Sequence, residues 1–72
     1  MSVKDIKNAT NSTIHLCIEY YGNDDLEAWY EVNGSIDSYL DKEVYYMDAI
    51  DDSEIICLID CDGIGPDDIS LW

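Results

Sequence analysis

Four side chains have the chemistry of a metal centre. His15 and Cys17 stand two apart, and Cys57 and Cys61 four apart. One imidazole and three thiolates complete a tetrahedral zinc set. Residues two or four apart share one side of a strand, so each pair can aim at a common point. Neither pair, however, forms a Gly-rich knuckle followed by a matching second knuckle. Both lie in apolar, strand-like runs, where a free cysteine packs as a small hydrophobe. Packing therefore ranks ahead of zinc, and no cofactor is expected. Asp60-Cys61-Asp62-Gly63, followed by Asp67-Asp68, starts like a calcium loop. The third ligand before the glycine and the glutamate at position twelve are both missing. Diffuse counterion binding is the better account of those acids. His15 is the only histidine, and no serine or cysteine nucleophile stands at a recognisable spacing from it. Carboxylate pairs recur along the whole chain, so none is singled out. The expectation is a protein that is not an enzyme.

Charge is the strongest feature. The 72 residues carry seventeen Asp and Glu against three lysines and no arginine, for a net charge of -14. Lys4 and Lys7 precede Asn8, leaving Lys42 as the only basic side chain beyond it, His15 aside. Like charges repel on compaction. They also exclude nucleic acid, phosphorylated ligands and anionic membranes as direct partners, since those are held by positive charge. The expected partner is basic. Ten isoleucines, five leucines, three valines, six tyrosines and two tryptophans separate the chain from disordered acidic tails. It reads as one domain over 1–72, with a polar lead-in at 1–12 and a short tail at 63–72. An odd number of cysteines with no apolar leader predicts free thiols in a reducing cytoplasm.

Period-two alternation defines the elements that must position these groups. Ile14, Leu16 and Ile18 alternate with His15, Cys17 and Glu19, which predicts a strand over 13–21. Leu26, Ala28, Tyr30 and Val32 alternate with Glu27, Trp29 and Glu31, giving a second strand over 25–32. Asn33-Gly34 closes it with a strong turn signal. Ser35 is a candidate cap for a helical turn near 35–41. Val44-Tyr45-Tyr46-Met47 favours a third strand over 43–50. The competing reading is a helix at 36–49, from the spacing of Ile36, Tyr39, Leu40, Val44 and Met47. Glu54 to Cys61 is apolar on both sides, as a central strand would be. The fold class is mostly β: a small antiparallel sheet of about four strands, the alternative being α+β.

On such a sheet the acids fall into rows. Alternate strand positions are ~6.8 Å apart at a rise of ~3.4 Å per residue, comparable with the charge spacing of a polynucleotide backbone. Glu27 and Glu31 flank Trp29 on one side of the second strand. Asp24-Asp25 and Asp51-Asp52 place paired charges in turns, and Asp37, Asp41 and Asp48 stand near tyrosines. These nine acids are the candidate partner contacts. Arginine and lysine of a nucleic-acid groove would find carboxylates to pair with and rings to stack on. Solvated surfaces ordinarily mix both signs, which leaves the scarcity of basic residues after Lys7 unexplained by solubility alone.

In size, acidity and lack of a catalytic motif, the chain resembles the small inhibitors made by phages and other mobile elements. Anti-CRISPR proteins, antirestriction proteins and uracil-glycosylase inhibitors include acidic members that look like DNA to their targets. The resemblance is one of class and is carried by no motif. It implies a mechanism: fill a basic nucleic-acid channel and block its substrate. Two other readings are an acidic adaptor bound through tyrosines and the tail ending in Trp72, and a small zinc domain built on His15, Cys17, Cys57 and Cys61.

Overall fold

A computed structural model describes residues 1–21 and 27–72. Among these residues five strands form one sheet: β1 (Thr13–Tyr21), β2 (Glu27–Val32), β3 (Val44–Ala49), β4 (Glu54–Ile59) and β5 (Ile69–Leu71). Their order across the sheet is β3-β4-β1-β2-β5. The mostly-β class and the four strands follow the alternation in the sequence. Val44–Ala49 is strand, not part of a helix at 36–49. The helical turn is a 3₁₀ turn at Ile36–Tyr39, with the Ser35 hydroxyl accepting from the Asp37 amide.

The sheet is mixed rather than antiparallel throughout. β1 and β4 run parallel at its centre, with Leu16 opposite Cys57 and Cys17 opposite Leu58. The connection 33–43 explains the direction. It leaves β2 beside the start of β1 and crosses the sheet, packing Ile36, Tyr39 and Leu40 against the core. It delivers Val44 opposite Ile59, at the far end. β3 then runs back, and β4 emerges parallel to β1. Asn33-Gly34 does end β2, and Gly34 adopts a φ of +78° that side chains rarely accept.

Two further elements lie in segments expected to be a lead-in and a tail. Val3–Ala9 is a helix, α1. Ser2 caps it: its hydroxyl accepts from the Asp5 amide, and the Asp5 carboxylate accepts from the Ser2 amide. This reciprocal box offsets the lost backbone bonds of a first turn. Val3 and Ile6, three apart, are both buried beneath it. Ile69–Leu71 adds β5 to the free edge of β2, with Val32 opposite Ile69 and Tyr30 opposite Leu71. The three residues lack alternation of their own and are held by the ladder.

The two faces of the sheet differ. One packs Leu16, Ile18, Val32, Cys57 and Ile59 against Val3 and Ile6 of α1. The 33–43 connection and Ile64, in the connection to β5, complete the cover. The other face holds a smaller cluster of Cys17, Ile56 and Leu58, with Trp29 packed on it. No helix, loop or strand among the described residues lies over that second face.

Candidate partner-binding face

Strand register assembles the uncovered face residue by residue. β1 contributes His15, Cys17 and Glu19. Glu31 and Trp29 of β2 pair with Cys17 and Glu19. Glu54, Ile56 and Leu58 of β4 pair with Thr13, His15 and Cys17. Tyr46 and Asp48 of β3 pair with Leu58 and Ile56. Ser70 lies opposite Glu31 on β5, and Trp72 follows. The result is a narrow apolar strip with aromatic rings over it and carboxylates around it. Trp29 packs on Cys17, Ile56 and Leu58, and its ring stands 6.1 Å from that of Tyr46.

His15 is the centre of this face. Its Nδ1 lies 2.7 Å from Glu31 Oε2 and its Nε2 lies 2.9 Å from Glu54 Oε1. A neutral imidazole has one N–H, so both contacts become hydrogen bonds only in the imidazolium. The hydrogen bond to Glu31, then that to Glu54, raises the His15 pKa above its ordinary value, against the opposing effect of burial. The ring of Trp72 packs edge-on at 5.1 Å, and the Trp72 amide donates to the Trp29 carbonyl at 3.0 Å. One ring thus links β4, β1 and β2, with Trp72 packed against it at the end of β5.

The expected contacts are divided by the fold. Glu31 and Asp48 lie on the uncovered face, although Glu31 is engaged with His15. Asp48 is exposed and accepts from the Tyr46 hydroxyl at 3.3 Å. Asp51 and Asp52 are exposed in the β3–β4 turn at one end of that face. There Asp51 accepts from the Ser53 amide at 2.8 Å, a bond that holds its carboxyl below the usual range. Asp37 and Asp41 belong to the crossing connection, on the side of α1. Asp37 accepts from Lys7 Nζ at 2.7 Å, and that contact lowers its pKa. Asp24, Asp25 and the side chain of Glu27 fall outside the described residues. Glu19 and Glu54 belong to the face without being among the nine expected contacts, and Trp72, expected only as a tail anchor for a partner, packs on it. The parity of β1 was enough to find Glu19, whereas Glu54 and Trp72 needed the register of β4 and β5.

The proposed zinc set is not assembled. His15 and Cys17 share the uncovered face, but Cys57 points into the helix-covered core. Cys61 lies beyond the end of β4 and is exposed. In parallel pairing Cys57 sits opposite Leu16, one residue out of phase with Cys17, so the sheet separates the two thiols. Both His15 nitrogens are already taken, on opposite sides of the ring. Burial pushes the Cys17 thiol up to about 12 and that of Cys57 up as well. These two stay protonated and behave as packing residues. Among the described residues no group of His, Cys, Asp and Glu converges as a metal site.

Set against known proteins, the chain matches no protein-family model, no curated protein and no solved structure. No helix among the described residues is long and apolar enough to cross a membrane.

Proposed function

We propose that this chain is a non-enzymatic inhibitor that binds a basic, nucleic-acid-handling protein by mimicking nucleic acid. The target class is a CRISPR effector, a restriction enzyme or a DNA-repair enzyme, and the place of action is the cytoplasm. The supporting observation is the sorting of charge by the fold. Lys4 and Lys7 lie on α1, and Lys42 lies in the connection before β3. Lys7 is paired with Asp37, and Lys42 donates to the Asp62 carbonyl. Among the described residues the uncovered face is left with Glu19, Glu31, Asp48 and Glu54, the rings of Trp29, Tyr46 and Trp72, and His15, whose ring lies between Glu31 and Glu54. Acids around exposed rings suit arginine and lysine, which pair with the first and stack on the second.

The adaptor reading is weaker because the tail is not a free anchor. Ile69–Leu71 is a paired strand and Trp72 is packed on His15. Deleting the tail would remove a sheet edge and would not separate the two readings.

The test is a pull-down from a bacterial lysate at low salt, eluted with a salt gradient. A nucleic-acid enzyme should elute sharply and should lose DNA or RNA when the purified chain is added. Affinity should fall at least ~10-fold between ~0.05 and ~0.5 M salt, because steering by exposed charge weakens as the Debye length shortens. Retention that is indifferent to salt, or a captured protein that keeps its nucleic acid, would reject mimicry.

A further inference from the structure

The outer edge of the sheet at β3 combines three features that the acidic face does not explain. First, β3 is the terminal strand of the sheet. Among the described residues Met1 to Val3 pair with its beginning: Ser2 bridges Glu43, the Val44 amide donates to the Met1 carbonyl, and the Val3 amide donates to the Lys42 carbonyl. From Tyr45 to Ala49 every residue is exposed. Natural edges are blunted by lysine, proline or a bulge; β3 has neither lysine nor proline, and its register shift, between Val44 and Tyr46, lies at its beginning. Second, its side chains are apolar where a solvated edge would be polar. Met47 is 52% exposed, Tyr46 44% and Ile50, just past the strand, 45%.

Third, an apolar groove of about 280 Å³ runs between this edge and α1, lined by Met1, Ile6, Ala9, Thr10, Met47 and Ile55. Lys7 does not reach it, being turned to Asp37 on the other flank of α1. The opposite side of the same edge carries Asp48, with Asp51 and Asp52 exposed in the turn beyond. An added strand would alternate as β3 does. Its helix-side residues would lie over Met47 and the groove, and its other residues beside Tyr46 and Asp48.

We infer that β3 is a docking edge for an extended segment of a protein partner, in which apolar residues alternate with lysine or arginine. The inference rests on the reading of a basic protein partner and names the element by which that partner is held. Backbone pairing to the edge supplies affinity, and the two sides of the added strand supply the selectivity. Charge decides against the obvious competitor, a second copy of this chain. Two chains of net charge -14 would meet edge to edge, with like charges brought together and nothing basic to offset them.

Two synthetic peptides test this against the isotopically labelled full chain: Lys-Val-Lys-Ile-Lys-Val-Lys, and the same residues sorted into a lysine block and an apolar block. The alternating peptide should shift the backbone amides of 46–49 and bind at least ~10-fold more tightly than the block peptide, a difference in recognition rather than in charge. Met47→Asp should abolish that preference with little change in the melt, since Met47 is half-exposed. The added charge has the favourable sign for a basic peptide, so a loss reads the apolar contact. Met47→Ser, which adds no charge, should reduce the preference in the same direction. Equal binding of the two peptides, with shifts scattered over all the acidic loops, would overturn the proposal. So would a dimer in sedimentation that Met47→Asp dissociates, because a second copy would then occupy the edge. The mimicry reading fails separately. If the alternating peptide docks on β3 but no captured protein releases nucleic acid, mimicry falls and the edge stands. If a captured protein releases nucleic acid yet Met47→Asp and the peptides make no difference, the edge falls and mimicry stands.

Discussion

The two faces of this sheet are built from the same strands and solve burial differently. On the helix-covered face, Leu16, Ile18, Val32, Cys57 and Ile59 meet a second layer, and the charged groups stay outside it. On the uncovered face, Cys17, Ile56 and Leu58 are as deeply buried, yet their cover is the strands' own rings and the His15 clasp. A face closed only by its own side chains keeps its carboxylates and aromatics at the surface. The covered face gives the chain a core. The uncovered one is the face on which the proposed recognition rests.

The largest expected effect tests that difference in packing. Leu16→Ala, under α1, should cost ~2–5 kcal/mol as a transfer loss plus an unfilled cavity. A domain of this length has roughly 4–11 kcal/mol in total. Leu58→Ala on the uncovered face should cost less, because Trp29 and Tyr46 can settle inward with no layer above to hold them. Urea unfolding of both variants decides it, and equal losses would mean that the two faces are packed alike.

Charge reversal sharpens the same comparison through binding. Glu19→Lys with Asp48→Lys should weaken capture of the partner at least ~10-fold, whereas Asp37→Lys with Asp41→Lys, on the helix side, should change it by less than ~3-fold. Comparable losses from both pairs would make the whole surface, rather than one face, the mimic. Asp41→Lys should leave the isolated fold as stable or slightly more so, because it relieves self-repulsion, whereas Asp37→Lys also loses the contact with Lys7.

His15 gives the uncovered face a pH dependence that the covered face lacks. Its folded-state pKa is raised by Glu31 and Glu54. The stabilisation is therefore complete below the unfolded value of 6.5 and is lost as pH rises through the folded value. Above it, two carboxylates face a neutral ring. The melting temperature should fall as pH is raised from ~6 past that higher value, and His15→Gln should flatten this part of the profile. A profile unchanged by the substitution would show that the clasp contributes nothing to stability.

The smallest perturbation leaves the chain unaltered. A thiol reagent at neutral pH should label Cys61 at once and Cys17 and Cys57 only through opening of the fold, since one thiol is exposed and two are buried with raised pKa. If Cys17 reacts well ahead of Cys57, the uncovered face opens independently of the covered one.

Much of this architecture was legible in the chain. Alternation located β1 to its terminal residues, because Ile14, Leu16 and Ile18 must all fall on one side. The apolar run of β4 announced an interior strand, and Asn33-Gly34 announced the end of β2. α1 escaped because seven residues, with Val3, Ile6 and the small Ala9 as the apolar positions, are too short to establish a period. Its only signal was the Ser2–Asp5 capping box. β5 escaped because three residues carry no pattern.

The sequence by itself determined the acidity, the mostly-β class, the free thiols and the pairing of His15 with Cys17 on one side of a strand. Each follows from composition or from a local period, which neighbours in the chain suffice to set. Only the tertiary structure decided that β4 lies parallel to β1, that Cys57 turns away from Cys17, and that Glu31 and Glu54 close on His15 from both sides. Those depend on where the crossing connection 33–43 delivers the chain. A shift of register by one residue would move every side chain of β4 to the other face, and no local period records which register long-range packing will select.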